Sequence, residues 1–499
     1  MARKLPMFYS AILLTAVNLL LRFVGTSFQV YLSGRIGAEG IGLLQLVMSV
    51  GSMALVAGMA GIRTATMYLT AEEVGRKRPG RILWVLSGCV LYSFVASAAM
   101  AVLVYLFAPQ ISTYWIGYPQ VVDSVRLFAV FLPVNCLCGV MVGYFTGANR
   151  IGTLAAIEVV EQLCTMVCTI ALLSLWAGHN AEKSCQAVIL GSGLGACLTL
   201  TSLVILRLAE KPKHDSRIRI ANRLYHTAVP LALADNLRTG ISTVENLIVP
   251  KRLALYNGIA SPLAAFGTIC GMVFPILTFP MAILFGLTEL LIPELARCNA
   301  AGSSQRITYL AKKSLKVALL FGTVCSCILF LLAEPLCERL YQSKDAGTYL
   351  KWFSPLAVML YCDAVTDAMI KGLGQQKASV RYNIFTNAMD VIILYCLLPK
   401  LGVLGYFISF TITHAINFIL SLGRLLKITK LTIRLRVPVC AALAGILTTI
   451  LCSYVTQPVP GVIAAVAVLF SLLYLMGIVD KRDIEWFVSL VANKSRPAK

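Results

Sequence analysis

The sequence predicts an all-α polytopic membrane protein with about 14 transmembrane helices. Two observations support this fold class. Of the 499 residues, 58% are hydrophobic and only 13% are charged, whereas a soluble domain carries roughly 25% charged residues. Apolar runs of about 20 residues, the length that crosses a bilayer as a helix, also recur along the chain. The composition therefore excludes a water-soluble protein.

Hydropathy defines the order of the spans, and several are longer than a bilayer requires, which implies tilt or protruding ends. The predicted spans are 8–34, 41–69, 82–107, 120–147, 153–177, 184–208, 224–250, 258–287, 307–333, 350–372, 379–398, 402–423, 437–455 and 459–479. The first follows a basic start, and we interpret it as a retained helix and not as a cleaved signal peptide.

The formal net charge of +21 could suggest a nucleic-acid partner, but membrane proteins gather Lys and Arg on their cytoplasmic side. Basic residues concentrate in alternate loops, at 71–81, 207–223, 297–316 and 424–436. This alternation predicts a multi-pass protein of the cytoplasmic membrane with both termini cytoplasmic. Its expected partners are membrane lipids and not nucleic acid.

A weak internal repeat indicates two lobes. Arg22 and Arg35 in span 1 have the same separation as Arg238 and Lys251 in span 7, and each span opens a block of six. Duplicated lobes with a site at their interface are common in transporters. The predicted organisation is an N-terminal lobe at 1–209, a cytoplasmic linker at 210–223, a C-terminal lobe at 224–434, two extra spans within 435–480 and a cytoplasmic amphipathic tail at 481–499.

Motifs of enzymes and of metal centres are nearly absent. The 16 cysteines are scattered through apolar runs without a CxxC pair, which predicts small core residues and not a structural metal or a disulfide framework. The glycine-rich segment 191–195 lies inside span 6 with no strand before it, which favours close helix packing over nucleotide binding. We therefore expect no catalytic residue, no cofactor and no enzyme activity.

Charged residues inside the spans are the most informative feature, because each costs roughly 3 kcal/mol in hydrocarbon unless it faces water or a partner. They are Arg22, Arg63, Arg126, Arg238, Glu158, Glu161, Asp235, Glu245, Asp363, Asp367 and Asp390. They could form ion pairs that hold the lobes together, or they could line a water-filled central cavity. Charges spread over both lobes exceed what packing needs, and this favours the cavity.

The sign of these charges indicates two kinds of chemistry. Grouped arginines suit a phosphate or diphosphate, since a guanidinium binds two oxygens at once. The predicted substrate-binding set is Arg22, Arg63, Arg238, Glu158, Glu161, Asp363 and Asp367. Oxygen ligands in the second lobe suit a coupling cation, Na⁺ or H⁺. The predicted set for that cation is Asp235, Asn387, Asp390 and Thr411.

The segment LLRFVGTSFQVYLSGRIGAEGIGLLQL, followed by AGMAGIRTATMYLTAEE, resembles the polysaccharide and lipid II flippases of the MOP superfamily. The resemblance covers spans 1 to 12 in plan and is most specific in span 1 and in the corner Gly37–Gly42. It implies a V-shaped fold with two six-helix lobes and two extra C-terminal helices. The implied activity is transport of a polyprenyl-diphosphate-linked glycan across the cytoplasmic membrane of a bacterium by alternating access.

The same resemblance implies that Arg22 and Arg63 contact the diphosphate and that spans 13 and 14 guide the polyprenyl tail. It implies a role in peptidoglycan, polysaccharide or spore-envelope synthesis, and a sodium site on spans 7, 11 and 12 in some relatives. The chain departs from the family pattern in two places. Phe28 or Gln29 stands where a second basic residue is expected, and span 8 has no arginine. We expect the chain to function as a monomer.

Two other functions stay open. A cation-coupled multidrug exporter of the MATE type would use acids as its main substrate contacts, although the arginines would repel cationic drugs. A membrane enzyme acting on lipid-linked sugars would place catalytic acids in loops at the membrane surface. The longest predicted outside loop, 334–350, holds Glu334, Glu338 and Asp345 without a recognisable arrangement.

Overall fold

Helices built from the apolar runs make up the chain, and no β-strand occurs in the part that the structure describes. This computed structural model describes residues 7–76, 79–148, 150–178, 180–209, 221–431, 436–453 and 458–478. The helices form two compact units. The first contains Met1–Pro275 and Asn383–Phe410, and the second contains Ile276–Tyr382 and Thr411–Lys499.

The first unit contains the helices of the N-terminal half. They are α1 (Met7–Met59), α2 (Ile62–Gly75), α3 (Ile82–Leu106), α4 (Ala108–Gln110), α5 (Val122–Gly147), α6 (Ile151–Leu172), α7 (Ala181–Leu208), α8 (Ala221–Leu253) and α9 (Pro262–Thr268). One buried cluster of this unit includes Ile62 of α2, Cys89 of α3 and Phe145 of α5, all fully buried. Leu203 of α7 and Ala228 of α8 belong to the same cluster, so this core joins helices from several parts of the unit.

The remaining helices run from the boundary of the units to the C-terminus. They are α10 (Phe274–Thr278), α11 (Met281–Ala300), α12 (Ser304–Tyr341), α13 (Lys344–Phe353), α14 (Ala357–Gly372), α15 (Gln376–Leu401), α16 (Val403–Thr429), α17 (Arg436–Cys452) and α18 (Pro458–Leu475). Residues of α15 from Asn383 and of α16 up to Phe410 belong to the first unit, and the rest of these two helices belongs to the second.

The second unit is organised around the long helix α12. Gly322 of α12 lies against the backbone of Val358 of α14, so the two helices approach closely. Cys327 of α12 belongs to a buried cluster with Ala441 and Ala444 of α17. Small residues at these points let helices pack without large side chains between them, as is common in membranes.

The glycine-rich corner between spans 1 and 2 is a break inside α1. Gly37 has a φ of 80°, a left-handed conformation that glycine adopts without strain. Beyond the break, Gly42 lies against Leu263 of α9, and Gly267 of α9 lies against Ala38. Side chains at either glycine would hold these two helices apart. The predicted tight turn between spans 1 and 2 is confirmed.

A second break corrects the predicted span 41–69, which is not one continuous helix. Ala60 and Gly61 have φ angles of 44° and 72°. Helix α1 therefore ends at Met59, and α2 begins at Ile62. Hydropathy cannot detect this break, because the residues around it are as apolar as the rest of the span.

A glycine stripe on α5 holds α2 in place after this break. Gly143 lies against the backbone of Arg63, and Gly147 lies against the backbone of Met67. The backbones of the two helices approach closely because neither glycine has a side chain. The position of Arg63 is thus fixed by helix packing in the first unit.

Helix α8 packs on the second half of α1 through polar contacts. Thr243 Oγ1 donates a 3.0 Å hydrogen bond to the carbonyl of Ser49, and Asn246 Nδ2 donates one of 3.0 Å to Ser49 Oγ. These bonds satisfy polar groups inside an apolar helix pair, where an unpaired group would be costly.

The C-terminal end of α8 is tied to two other segments by its basic residues. Lys251 Nζ donates a 2.7 Å hydrogen bond to the carbonyl of Tyr114, and burial lowers the pKa of Lys251. The guanidinium of Arg252 lies 3.7 Å from the ring centre of Tyr395 and donates two hydrogen bonds to the carbonyl of that tyrosine. Arg35, which the internal repeat pairs with Lys251, is exposed.

The predicted fold class is confirmed, since apolar helices long enough to cross a membrane recur along the chain. In the described residues nine helices meet this condition, and Pro262–Thr278 with Met281–Ala300 would make a tenth if the two form one span. The stretch Leu19–Val74 counts once among the nine, although it contains the breaks at Gly37 and at Ala60 and Gly61. The apolar helices in the region of α17 and α18 are shorter than the 18 residues required.

The predicted span 258–287 is also corrected, because the helix is interrupted at Phe279 and Pro280 before α11 begins. Proline removes a backbone donor and favours such an interruption. Most of the predicted linker 210–223 and the whole of the predicted tail 481–499 lie outside the described residues. The predicted lobe boundaries stay a prediction.

Candidate functional site

The first candidate site lies on α1, α2 and α6 of the first unit. Arg63 attracts the carboxyl group of Glu158 electrostatically, and Glu161 repels it. Both acids are partly buried, whereas Arg63 is exposed. We call Arg22, Arg63, Glu158 and Glu161 the arginine site. The structure thus brings together Arg63 and two acids from the predicted substrate-binding set.

Arg63 is exposed because of where α2 begins. It is the second residue of α2 and follows Ile62, which is fully buried. The start of a helix presents backbone N–H groups and the positive end of the helix dipole. The guanidinium and the helix start therefore add their positive potentials, and this combination suits an anion.

Arg22 lies on the side of α1 that faces α6. Gly25 of α1 is close to Gln162 of α6, whose Nε2 would lie 4.0 Å from a Cβ at the glycine. Arg22 precedes Gly25 by three residues, and Glu158 precedes Gln162 by four, so each pair shares a helix face. Arg22 is therefore on the face of α1 that is directed toward the acidic face of α6, and it is partly buried there.

Arg238, the third predicted arginine, lies on α8 with Asp235 one turn before it. Both side chains are exposed at the surface of the first unit. The contacts in the described part of the chain do not join either residue to the arginine site. Their spacing of three residues gives them a common helix face.

The second candidate site consists of two acids that meet inside the first unit. The carboxyl groups of Glu245 on α8 and Asp390 on α15 are hydrogen-bonded to each other. Asp390 is only 6% exposed, and it accepts a 2.5 Å hydrogen bond from Ser409 Oγ. Tyr406 and Cys270 form a hydrogen bond beside them. We call Glu245 and Asp390 the carboxyl pair.

The chemistry of the carboxyl pair follows from its hydrogen bond. A carboxylate only accepts hydrogen bonds, so two carboxyl groups bonded to each other need a proton between them. Two buried carboxylates without that proton would repel each other unless a cation replaced it. The pair can therefore hold one H⁺ or one small cation. The described residues contain no group of three or more His, Cys, Asp or Glu side chains that could hold a metal ion.

The carboxyl pair overlaps only in part with the predicted cation ligands. Asp390 belongs to both, but its partner on α8 is Glu245 and not Asp235. The two acids of α8 lie about 15 Å apart along the helix axis, at about 1.5 Å per residue. Asn387 is partly buried one turn before Asp390, and Thr411 belongs to the second unit.

Sequence reasoning found Glu245 as an intramembrane acid but missed it as the partner of Asp390. Glu245 lies on the same predicted span as Asp235, and this could have indicated it as an alternative ligand beside Asp390. Sequence reasoning also missed Ser409 and Tyr406. These two residues stand three apart on α16 and share a face, but serine and tyrosine are too common in helices to indicate a site.

The second unit contains the other two predicted acids, both on α14. Asn417 Nδ2 donates a 3.0 Å hydrogen bond to Asp363 Oδ2. Lys371 Nζ lies 2.6 Å from Asp367 Oδ2, and Ser379 Oγ donates a hydrogen bond to Asp367 Oδ1. Asp367 is thus neutralised by residues of its own unit, and this ion pair lies within one helix and does not join two lobes.

Comparison with known proteins agrees with this helical plan. The profile of the MatE family matches residues 15–171 and 254–396, which is more than half of the chain. The first segment contains the whole arginine site, and the second contains Asp390 of the carboxyl pair.

Individual relatives cover nearly the whole chain. The chain is 22% identical to stage V sporulation protein B of Bacillus subtilis (strain 168), over 95% of each protein. Its structure is similar to that of the lipid II flippase MurJ in an inward closed conformation, with a TM-score of 0.68 and 13% identity over 93% of this chain and 98% of that one. It is also similar to an inward-facing multidrug resistance MATE family transporter, with a TM-score of 0.66 and 14% identity over 85% of this chain and 100% of that one.

The predicted resemblance to the MOP superfamily is confirmed by these matches. Both of these solved structures are transporters with this fold. The chain is a multi-pass membrane transport protein and not an enzyme, which agrees with the scarcity of catalytic motifs in its sequence. On its arrangement of helices and on the match of more than half of its residues, the chain belongs to the MatE family of the MOP superfamily.

Proposed function

We propose that the chain is a flippase that moves a polyprenyl-diphosphate-linked glycan across the cytoplasmic membrane by alternating access. The observation that carries this proposal is the exposed Arg63 at the start of α2, which acts on Glu158 of α6. The transported lipid would be a cell-envelope precursor similar to lipid II. It would move from the cytoplasmic to the outer leaflet, with both termini of the chain cytoplasmic and the protein acting as a monomer.

The chemistry of arginine supports a diphosphate as the ligand. A guanidinium inside a membrane span is costly unless water or a partner solvates it, and Arg63 is exposed and not packed away. A guanidinium also matches phosphate oxygens two at a time. The acids Glu158 and Glu161 would hold the arginines apart from each other and keep their charge balanced while no substrate is bound.

The relatives support the same class of substrate. The name of MurJ states that it is a lipid II flippase, and stage V sporulation protein B is named for sporulation. We therefore place the substrate among peptidoglycan or other envelope glycans made during growth or sporulation. Flipping assays with different lipid-linked glycans would identify the sugar.

Coupling to an ion gradient is part of the proposal. The carboxyl pair can bind one H⁺ or one Na⁺. The neutralised pair would favour one packing of α8 against α15, and the charged pair would favour another. A ligand shifts such an equilibrium only by its difference in affinity for the two states. A buried acid pair provides that difference, because its charge is costly only when it is desolvated.

The proposal is tested by flipping in proteoliposomes that contain the purified chain and a fluorescent undecaprenyl-diphosphate glycan. We expect Arg63→Gln to slow flipping by about tenfold or more, since a hydrogen bond to a charged group contributes about 1.5–3 kcal/mol. Arg22→Gln should act in the same direction. Arg35→Gln is the matched control, because Arg35 is exposed and outside the arginine site.

Insertion and folding are checked by size-exclusion chromatography of each variant before reconstitution. Flipping at the wild-type rate by both Arg22→Gln and Arg63→Gln would overturn the proposal. Loss of flipping in Arg35→Gln to the same extent would show that net charge and not the arginine site matters.

A second candidate function is cation-coupled drug export of the MATE type. The observations that favour it are the buried acids and the structural likeness to a multidrug transporter. In that case the acids would contact the substrate, so Asp363→Asn or Glu161→Gln would abolish efflux of a cationic dye from loaded proteoliposomes. The arginine variants would leave dye efflux unchanged. The opposite pattern would exclude this function.

A further inference from the structure

A small basic cavity lies in the second unit and shares no residue with either candidate site. It is formed where α15 begins and α16 approaches its end, and its volume is about 180 Å³. We call it the basic cavity. Its lining residues are Gln375, Lys377, Ala378, Arg381, Tyr382 and Arg424.

The lining of the basic cavity is positive. Lys377, Arg381 and Arg424 are its charged members, and no acid is among the lining residues. The nearby acid Asp367 is bound to Lys371 and to a serine of α15. Three cations that converge on one cavity without a carboxylate repel one another, so an anion between them would stabilise the arrangement.

Arg424 has hydrogen-bonding capacity that the described residues do not use. Its Nη2 donates a 2.5 Å hydrogen bond to Gln375 Oε1. Its Nε is buried, and no acceptor for it occurs in the described part of the chain. Buried donors in native proteins nearly always have a partner, including bound ions. An acceptor oxygen on a ligand would supply one.

The position of the basic cavity relates it to the membrane surface. Lys377 and Arg381 follow the turn after α14, and Arg424 lies in the last turns of α16. Both segments adjoin loops whose charge predicts the cytoplasmic side. Helix α15 also begins at Gln376, so the positive end of its dipole adds to the field at the cavity.

We propose that the basic cavity binds the phosphate group of a membrane lipid. Guanidinium groups bind phosphate oxygens in pairs, and basic pockets between helices on the cytoplasmic side are suited to anionic head groups. The phosphate could come from an anionic phospholipid of the bilayer or from the diphosphate of the lipid that the chain carries. The proposal goes beyond the function proposed above and does not require the arginine site.

The experiment measures binding by the purified full-length protein in a neutral detergent at fixed salt, using microscale thermophoresis. The probes are dioctanoyl phosphatidylglycerol and farnesyl diphosphate, and dioctanoyl phosphatidylcholine serves as the lipid without net charge. The test variant is Arg381→Gln with Arg424→Gln. The matched control is Lys427→Gln with Lys430→Gln, which removes two exposed charges from the same end of α16.

We expect the test variant to bind the anionic probes about tenfold or more weakly, since it loses charge-assisted hydrogen bonds. The control should change binding by less than about twofold, because its two exposed charges do not line the cavity and exposed charges contribute little. Equal weakening in both variants would overturn the proposal, because it would indicate a diffuse basic surface. Wild-type binding of phosphatidylcholine as tight as that of the anionic probes would overturn it as well.

The two probes distinguish the sources of the phosphate. Tighter binding of phosphatidylglycerol assigns the basic cavity to bilayer lipid, and tighter binding of farnesyl diphosphate assigns it to the transported lipid. Only the second assignment rests on the proposed function. If the double variant fails to fold, the single Lys377→Gln, at an exposed position, is measured in its place, and unchanged binding there would overturn the proposal.

Discussion

The arginine site and the carboxyl pair belong to the same unit but accommodate charge in opposite ways. In the arginine site, Arg63 is exposed and two acids lie partly buried beside it. In the carboxyl pair, two acids meet in the interior, where Ser409 supplies a donor to Asp390. One site presents a fixed positive charge to its surroundings, and the other is suited to one H⁺ or one small cation.

The difference follows from the helices that carry the two sites. Arg63 lies directly after a break, and its side chain is exposed although Ile62, the first residue of α2, is fully buried. Glu245 and Asp390 lie inside the continuous helices α8 and α15, which surround them with packed side chains. The proposed ligand of the first site is therefore a large anion, and that of the second is a proton or a small cation.

The largest effect is expected when the carboxyl pair is neutralised. Asp390→Asn or Glu245→Gln removes the group that binds the ion, and gradient-driven flipping should fall by about tenfold or more, as the loss of a buried charged hydrogen bond predicts. Flipping without a gradient should persist. The measurement compares initial rates in proteoliposomes with an imposed H⁺ gradient, an imposed Na⁺ gradient or none.

The matched control for this prediction is Asp235→Asn, on the same helix as Glu245 but exposed. It should keep at least about half of the gradient-driven rate, because exposed charges contribute little. A larger loss in Asp235→Asn than in Glu245→Gln would return the coupling site to the residues chosen from the sequence alone.

A smaller effect of opposite sign is expected in the arginine site. Glu158→Gln removes a negative charge close to Arg63, so the site should bind inorganic pyrophosphate about fivefold more tightly, which corresponds to about 1 kcal/mol for one charge at short range in a solvated site. Isothermal titration calorimetry measures this affinity. Glu39→Gln, at an exposed position near the corner of α1, is the control and should change nothing.

Weaker pyrophosphate binding by Glu158→Gln would contradict this reasoning. It would mean that Glu158 holds Arg63 in its binding position. Its role in positioning Arg63 would then outweigh its repulsion of the pyrophosphate anion.

The break that exposes Arg63 is tested by a change on α5. Gly143→Leu forces a side chain against the backbone of Arg63, and overpacking of this kind costs about 1–3 kcal/mol. We expect a lower melting temperature of the purified protein and slower flipping. The control is Gly152→Leu on α6, where a side chain would meet open space. Equal destabilisation by both substitutions would contradict the role of the α2–α5 contact.

The smallest effect is expected in the second unit, where Lys371 and Asp367 form a partly exposed ion pair at 2.6 Å. Such pairs contribute about 0–1 kcal/mol. Lys371→Gln should lower the melting temperature only slightly and leave flipping unchanged. A double-mutant cycle with Asp367→Asn measures the coupling, and a coupling well above that range would place Asp367 with the functional charges.

Much of the fold could be predicted from the sequence, because the length of apolar runs is set by the thickness of the bilayer. The corner at Gly37 could also be located, since glycine clusters indicate turns. The break at Ala60 and Gly61 could not, because its residues are small and apolar and continue the hydropathy of both neighbours. The interruption at Phe279 was missed although Pro280 beside it is a signal for a helix break, because the hydropathy continues across it.

The candidate sites divide in the same way. The sequence indicated Arg63 and Glu158 as charges in a membrane span, and this is a local property of the chain. The pairing of Asp390 with Glu245, in place of Asp235, depends on how α8 and α15 pack. Both acids of α8 satisfy any pattern that counts charges in spans. Their height along the helix and their direction around it decide which one meets Asp390.

By itself, the sequence determined that this protein is a helical membrane protein with charges inside its spans, because hydropathy and charge act residue by residue. Tertiary structure alone decided which of those charges meet and which remain exposed. The physical reason is that the environment of a side chain is set by neighbouring helices. A carboxyl group beside another carboxyl group is suited to a cation, whereas an exposed arginine is suited to an anion.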